Sequence, residues 1–304
     1  MSNAAAQTEI HWLLNEHLPV LRARVEFGLN AALQLGEACP SLLRESMHYS
    51  VAAGGKRLRP VLVLLACQAC GGDVEAALPA AVSIELIHTY SLIHDDLPAM
   101  DDDELRRGQL TNHMKFGEAT AILAGDGLLT LAFEVLAGLQ TTSDVAVACI
   151  RELASAAGAE GMVGGQQADL EGETSGITSA EHLESIHRRK TGRLISAALR
   201  MGGRIAGTTE ARLAALARYG DDIGLAFQIA DDLLDLSSTP EMLGKGVQKD
   251  ADRNKLTYPG LLGIDESRRR AVALTEDAIS SLRSVDIESR GLEALARYVV
   301  ERDR

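Results

Sequence analysis

Two clusters of aspartate stand in otherwise apolar, helix-forming stretches of this sequence. The first lies in HDDLPAMDDDELRRG, residues 94–108, and the second lies in QIADDLLDL, residues 228–236. Carboxylates are costly to bury unless a positive charge neutralises them. Two clusters so far apart in the chain therefore predict one site, where facing helices direct oxygen ligands at divalent cations. Arg106 and Arg107 follow the first cluster, which indicates a phosphate-bearing substrate beside the metal.

The second cluster has the spacing of a helix face. Asp231 and Asp235 are four residues apart and share one face, while Asp232 lies about a third of a turn away and is expected to be an indirect or partial ligand. Two carboxylates one turn apart suit Mg²⁺, because this ion is held by few carboxylates and takes its other ligands from water and substrate phosphates.

The first cluster is less regular. Asp95 and Asp101 are six residues apart, which does not place them on one face of an ideal helix. Pro98 lies between them and predicts the end of the helix, so that the turn 97–100 brings Asp101 back beside Asp95. Asp102 and Asp103 are expected at the polar edge. A solvated acidic face explains either cluster alone, but it explains poorly two clusters that both have apolar flanks and basic neighbours.

A third segment, GGKRLRP at residues 54–60, combines two glycines with three cations directly before an apolar stretch. Flexible backbone at a helix start, with Lys56 and Arg59 on one side, suits a second phosphate group. By itself the pattern is weak, since most basic loops are simply solvated.

The elements that must position these residues are helices. Of the 304 residues, 46% are hydrophobic and only 3% aromatic, and the apolar residues are mainly the helix formers Ala and Leu. We therefore expect one all-α domain over residues 1–304. The net charge of −13 argues against a nucleic-acid partner. Cys67 and Cys70 lack a second ligand pair with zinc spacing, so they are interpreted as small buried residues.

Apolar periodicity and Gly, Pro and Ser/Thr punctuation delimit the helices. We expect N-caps in segments 178–181 and 208–210 and helix ends at 71–72 and 202–203. The predicted helices cover residues 8–35, 40–52, 58–70, 75–97, 117–138, 144–171, 180–202, 209–236, 253–263, 267–285 and 289–302.

Segments 81–93 and 118–139 are apolar on nearly every face. Such helices are buried in a large bundle or at a subunit interface, and a homodimer is expected. We expect no secretory leader and no membrane-spanning segment, and hence a cytoplasmic protein.

Six motifs occur in a fixed order along the chain. They are GGKRLRP (54–60), DDxxxxD (Asp95, Asp96, Asp101), RRG (106–108), GQxxD (Gly165, Gln166, Asp169), KTG (190–192) and DDLLD (Asp231, Asp232, Asp235). Together they resemble the trans-isoprenyl diphosphate synthases, from about residue 30 to the C-terminus. Residues 88–108 are especially similar to bacterial farnesyl diphosphate synthases.

The resemblance implies an all-α bundle around a deep central cavity, usually in a homodimer, and Mg²⁺ as cofactor, with three ions when substrate is bound. The implied metal ligands are Asp95, Asp101 and Asp231, with Asp96 and Asp235 as further candidates. The residues implied to bind the allylic diphosphate are Arg106, Lys190 and Lys245, with Thr191 and Gln228 lining that site and Lys255 approaching the diphosphate. The residues implied to hold isopentenyl diphosphate are Lys56, Arg59, His88 and Arg107. Asp95, Asp101, Arg106, Lys190, Asp231 and Lys245 are implied to act directly in catalysis.

The chemistry implied is ionisation, condensation and elimination. Diphosphate departs from the allylic substrate, Mg²⁺ and cationic side chains stabilise its charge, and the double bond of isopentenyl diphosphate attacks the allylic cation before a proton is lost. His88 gains its role only from the resemblance, since a lone His in an apolar helix is more often a core residue. His94 is left unassigned.

Tyr90 is expected to set the length of the product. It precedes Asp95 by five residues, which places it about 7.5 Å deeper along a helix. A bulky residue there would form the floor of the cavity, whereas the neighbouring Ser91 is too small to block alone. An aromatic residue at this position, with the two-residue insertion in the first aspartate motif, resembles the bacterial farnesyl type, and this resemblance implies a fifteen-carbon product. The alternatives are a geranylgeranyl or geranyl diphosphate synthase, a terpene cyclase, a non-catalytic regulatory subunit of a prenyl synthase, and a non-enzymatic cation binder.

Overall fold

Helices dominate the computed structural model, which describes residues 3–175, 179–237 and 256–301. The α-helices are α1 (Asn3–Trp12), α2 (Leu18–Ala32), α3 (Ser41–Ala52), α4 (Leu58–Ala69), α5 (Val74–Asp95), α6 (Asn112–Phe116), α7 (Glu118–Ala137), α8 (Ser143–Ala157), α9 (Met162–Ser175), α10 (Ala180–His187), α11 (Arg193–Ile205), α12 (Glu210–Ser237), α13 (Tyr258–Leu262), α14 (Ile264–Arg283) and α15 (Arg290–Glu301). Two π-helical turns, Leu13–His17 and Arg188–Gly192, join α1 to α2 and α10 to α11. The all-α prediction is confirmed.

The core is built around α5. This helix packs against α2, α4, α7 and α11, and α12 packs against α11 and α14. One hydrophobic cluster extends from Leu13 to Val299 and draws on most of the helices, while a smaller cluster surrounds Tyr258 between α10, α12 and α14. Because α5 is covered on several sides, most of its apolar residues are buried.

Several predicted helix boundaries are confirmed. Ser179 caps α10 by accepting a hydrogen bond from the backbone N–H of His182, and Thr209 accepts one from Arg212. α4 ends before Gly71, whose φ is +79°. α5 ends at Asp95, three residues before Pro98.

Two predictions of local structure were wrong, and one element was missed. Segment 202–203 does not end a helix: α11 continues to Ile205, and a Cβ on Gly202 would stand only 2.2 Å from the carbonyl oxygen of Val63. Gly202 therefore allows close packing of α11 on α4, whereas a Cβ on Gly203 would meet Leu213 and Leu216 of α12. The segment predicted as one helix over 144–171 is broken between α8 and α9. A short antiparallel hairpin, β1 (Leu105–Arg106) and β2 (Gln109–Leu110), was not predicted.

Among the residues that the structure describes, two helices, α5 and α7, are long and apolar enough to cross a membrane by length and composition alone. The apolar window of α5 is 67% buried inside the fold, as expected for a core helix, whereas that of α7 is only 39% buried. The absence of a membrane-spanning segment therefore stays a prediction.

Candidate active site

The first aspartate cluster folds back on itself at the C-terminal end of α5. The backbone N–H of Asp101 donates to the carbonyl oxygen of Asp95 at 2.8 Å, and that of Asp103 donates to Asp96 at 3.2 Å. The turn between them contains Pro98, which cannot continue the helix. The six-residue spacing thus brings Asp101 back to Asp95, as the sequence predicted.

Charge is concentrated around the Asp95 carboxyl. Burial raises its pKa to about 6; Lys190 and Arg106 oppose that rise, while Asp101 and Asp96 add to it. These residues come from the end of α5, the hairpin and the π-helical turn before α11. The structure therefore places two of the predicted diphosphate-binding cations within electrostatic range of the predicted metal ligands.

The hairpin presents the two arginines of the RRG motif. Arg107 and Gly108 have φ values of +54° and +75°, and they form a two-residue turn with the positive φ values of a type I′ turn. Gly108 is well suited to that conformation. On β1, the Arg106 guanidinium forms an ion pair with the buried Asp96 carboxylate. Its Nε lies 2.8 and 2.9 Å from the two carboxylate oxygens, and its Nη2 lies 2.6 Å from one of them. Asp96 is thus an ion-pair partner here, and its metal role stays a prediction.

Arg107 joins the hairpin to the glycine-rich segment. Its guanidinium donates to the carbonyl oxygen of Gly54 and lies where a Cβ on Gly55 would stand. His88, on α5, lies in the same region. Burial lowers the pKa of His88 well below its usual value, and Arg59, Arg107 and the other nearby arginines lower it further, so the ring is neutral.

Arg57, in the middle of the glycine-rich segment, points into the protein. Its side chain is 2% exposed and pairs with Glu85 of α5 and Glu26 of α2, each at 2.7 Å. Glu85 also acts electrostatically on Arg59 and Arg107. Sequence reasoning missed both acids. The signal for Glu85 was a single carboxylate within the apolar segment 81–93, which requires a buried partner.

Lys190 lies in the π-helical turn Arg188–Gly192. Its ammonium group pairs with Asp169 of α9 at 2.7 Å. The backbones are close here: a Cβ on Gly165 would stand 2.3 Å from the backbone nitrogen of Lys190. The GQxxD and KTG motifs are therefore one structural unit, in which the glycine permits the approach and the aspartate holds the lysine.

The second aspartate cluster, on α12, is tied to this unit. Thr191 donates to the side-chain oxygen of Gln228 at 3.0 Å, less than one turn before Asp231. Asp231 acts electrostatically on Arg59, which connects α12 with the glycine-rich segment. Asp232 accepts a hydrogen bond from the backbone N–H of Tyr258 at 2.8 Å, and its indirect role in metal binding stays a prediction.

The donor set fits Mg²⁺. Asp95, Asp101, Asp231 and Asp235 offer carboxylate oxygens, which this ion prefers, and the Asp95 carboxyl is desolvated beside two other acids. Within the described ranges no group of three or more potential ligands is close enough to hold a metal by itself. The expectation that water and substrate phosphates supply the other Mg²⁺ ligands stays a prediction.

Two predicted site residues, Lys245 and Lys255, lie outside the described residues. Lys56 is described and is exposed on the loop before α4. The roles of all three stay predictions.

Tyr90 is buried in α5, 6% exposed, and its ring packs edge-on against His94 at 5.7 Å between centroids. His94 in turn reaches the backbone carbonyl of Ile122 on α7 at 3.1 Å and lies where a Cβ on Gly125 would stand. His94, unassigned from the sequence, therefore supports the packing of α5 on α7 beside Tyr90.

Comparison with known proteins gives one consistent result. The polyprenyl synthetase family model matches residues 40–288. The chain is 44% identical to a farnesyl diphosphate synthase of Geobacillus stearothermophilus, over 98% of this chain and 99% of that protein. It is 46% identical to a geranylgeranyl diphosphate synthase of Cyanophora paradoxa, over 92% and 93% of the two chains. A crystal structure described as an FPP/GFPP synthase from Zymomonas mobilis superposes with a TM-score of 0.83 at 37% identity, covering 98% of this chain and all of that one.

Proposed function

This chain belongs to the polyprenyl synthetase family and is a short-chain trans-prenyl diphosphate synthase, and we propose that its main product is farnesyl diphosphate. In this proposal isopentenyl diphosphate condenses head-to-tail with dimethylallyl and then geranyl diphosphate. Tyr90 is the observation that carries the fifteen-carbon assignment. The relatives include both farnesyl and geranylgeranyl diphosphate synthases, so family membership does not choose between these products.

The allylic substrate binds, in our proposal, between the two aspartate clusters. Asp95, Asp101, Asp231 and Asp235 would hold Mg²⁺, which when bound stabilises negative charge on the departing diphosphate. Lys190 lies within electrostatic range of Asp95 and is held by Asp169. It therefore adds fixed positive charge at the same place without reorganisation during the reaction.

Three further side chains complete the allylic half. Arg106 would bind the same diphosphate, and its bidentate pair with Asp96 fixes the guanidinium plane. Thr191 and Gln228, hydrogen-bonded to each other, would line the site on the α12 side. Lys245 and Lys255 are proposed to approach the same diphosphate on the strength of the family motif alone.

Isopentenyl diphosphate would bind beside the allylic site, to Lys56, Arg59, His88 and Arg107. The contact of Arg107 with Gly54 supports one pocket made from the hairpin and the glycine-rich segment. His88 is neutral among these arginines, so its ring offers hydrogen bonds without adding to the repulsion between cations. Four positive or polar groups on a largely acidic chain would concentrate an anionic substrate at this pocket.

Tyr90 would form the floor beneath the growing prenyl chain. Its ring is buried more than one turn deeper in α5 than Asp95, and its contact with His94 holds it in place. A chain that reached this ring could not grow further without displacing a packed side chain. This steric argument, together with the resemblance of residues 88–108 to bacterial farnesyl diphosphate synthases, is our reason for proposing fifteen carbons rather than twenty.

Product analysis tests the proposal. Purified protein with Mg²⁺, isopentenyl and dimethylallyl diphosphate should give mainly fifteen-carbon diphosphate by chromatography. Tyr90→Ala should shift the products to longer chains, and Tyr90→Phe, which keeps the ring, should not. An unchanged profile in Tyr90→Ala would refute the floor assignment. A twenty-carbon product from the wild type would support the geranylgeranyl alternative, and no product at all would support a non-catalytic subunit.

We also propose that the chain forms a homodimer through α7 and α8. Ile122 and Leu123 on α7 are 43% and 58% exposed, and Val147 on α8 is 54% exposed. An exposed apolar surface of this kind is typical of a subunit interface. Light scattering should give twice the mass of the chain, and Leu123→Glu should reduce the measured mass.

One hydrophobic cluster across most of the helices supports a single domain. A cytoplasmic location is proposed from the sequence.

A further inference from the structure

Arg57 lies between Lys56 and Arg59, the two proposed isopentenyl diphosphate contacts of the glycine-rich segment, but its own side chain is buried in the protein interior. Lys56 is exposed, whereas the side chain of Arg57 is 2% exposed. Its position directly before α4 means that its backbone conformation sets the direction in which the segment enters the helix.

The guanidinium of Arg57 is held by three separate elements. Nε donates to Glu26 on α2 at 2.7 Å, Nη1 donates to Glu85 on α5 at 2.7 Å, and Nη2 donates to the carbonyl oxygen of Val51 on α3 at 2.6 Å. A guanidinium presents its donors in a rigid fork, so three partners in different directions fix both its position and its orientation. The pair with Glu85 is desolvated, since the Glu85 side chain is 4% exposed, whereas the Glu26 side chain is 44% exposed. Loss of Arg57 would therefore leave the buried Glu85 carboxylate without compensation.

The backbone of the segment needs such a fixed point. Gly54, Gly55 and Arg57 all have positive φ values, of +74°, +139° and +49°. The left-handed conformation is unfavourable for a residue with a Cβ, and it persists only where surrounding contacts impose it. The three partners of Arg57 are those contacts.

We propose that Arg57 is a positioning residue for isopentenyl diphosphate. Its buried side chain clamps the segment 54–59 in a strained conformation, in which Lys56 and Arg59 are already placed for the substrate before it binds. The clamp touches no substrate and acts through these two neighbours. The inference rests on the proposed function, because it takes Lys56 and Arg59 as the isopentenyl diphosphate contacts.

Steady-state kinetics of the full-length chain test the clamp, with isopentenyl and geranyl diphosphate varied in turn and Mg²⁺ saturating. Arg57→Met should raise the KM for isopentenyl diphosphate about ten- to a hundredfold, as expected for displaced binding groups, and leave the KM for geranyl diphosphate within about threefold. Glu26→Gln weakens the clamp from the surface of α2 and should raise the first KM about threefold to tenfold.

Arg200→Met is the matched control. Arg200 pairs with Glu152 at 2.7 Å between α8 and α11, so its loss removes an arginine–glutamate pair that does not touch the segment 54–59. It should lower thermal stability without changing either KM. If Arg57→Met does not fold, Glu26→Gln decides the question.

Equal increases in both KM values, or no increase in either, would overturn the clamp. A wild-type protein that condenses no isopentenyl diphosphate would instead refute the proposed function itself, and that result appears before any variant is made.

Discussion

Because α9 lies close to the turn that carries Lys190, we predict that Gly165→Ala lowers both activity and stability. The added Cβ would stand 2.3 Å from the backbone nitrogen of Lys190 and 2.7 Å from its Cα, whereas ordinary contacts begin near 3.4 Å. Both neighbours are backbone atoms and cannot rotate away. Helix α9 and the π-helical turn must therefore separate by about 1 Å, a displacement that can cost a reaction about a hundredfold in rate.

The expected result is a loss of kcat of about ten- to a hundredfold, since the displaced Lys190 would no longer match the departing diphosphate. Overpacking should also lower the free energy of unfolding by roughly 1–3 kcal/mol. Condensation rates at saturating substrates and thermal denaturation measure the two effects separately.

Gly172→Ala on the same helix is the control. A Cβ there would meet its nearest neighbour, a methyl carbon of Ile186, at 3.6 Å, which is ordinary contact. Because alanine favours a helix over glycine by up to about 1 kcal/mol, this variant should be as active as the wild type and no less stable. A Gly165→Ala enzyme with a rate within threefold of the wild type and unchanged stability would refute the reasoning.

Four further outcomes are expected elsewhere. Removal of divalent cations by a chelator should abolish condensation, and added Mg²⁺ should restore it; full activity in the chelator would contradict a metal role. Tyr219→Phe leaves the buried carbonyl of Leu292 without its 2.7 Å donor, and chemical denaturation should show a loss of about 1–3 kcal/mol with activity retained. Gly202→Ala should lower the free energy of unfolding by a similar or larger amount in the same assay, because the new Cβ would stand 2.2 Å from the carbonyl oxygen of Val63. An unchanged free energy of unfolding would disprove that contact. Burial raises the pKa of the Cys67 thiol to about 12, so at pH 8 it is protonated, and a thiolate-selective reagent should label it far more slowly in the native than in the denatured protein.

Much of the fold was predictable from the sequence because helix periodicity and capping are local. The limits of α4 and α12 agree with the predicted ones to within one residue. The hairpin was missed because its strands have two residues each, too few for an alternating pattern. The turn between them, Arg107–Gly108, ends in a glycine, which is a known signal for a hairpin turn. Gly202 was misassigned because the sequence alone does not distinguish a glycine that ends a helix from a glycine that lets another helix pack closely against it.

The turn in the first aspartate cluster was predictable from the sequence, but the contacts around the glycine-rich segment were not. The spacing around Pro98 correctly brought Asp101 back to Asp95. The pairing of Arg57 with Glu26 and Glu85 was not predictable, because it joins the start of α4 to α2 and α5, and the arrangement of these helices depends on the whole core. Long-range ion pairs of this kind are specified by tertiary packing and leave little trace in local sequence.

The π-helical turn Arg188–Gly192 directs Lys190 without disturbing the buried face of α11. The backbone N–H of Arg193 bonds to the carbonyl of Arg188, five residues earlier, so one residue more than an α-helix needs is accommodated here. Five π-helical residues and four α-helical residues both cover slightly more than one turn, so deleting one residue would restore ordinary winding and leave α11 nearly in register with α10. The side chains inside the turn would change direction, and with them the approach of Lys190 to Asp169. A deletion here should therefore impair the site while sparing the packing of α11.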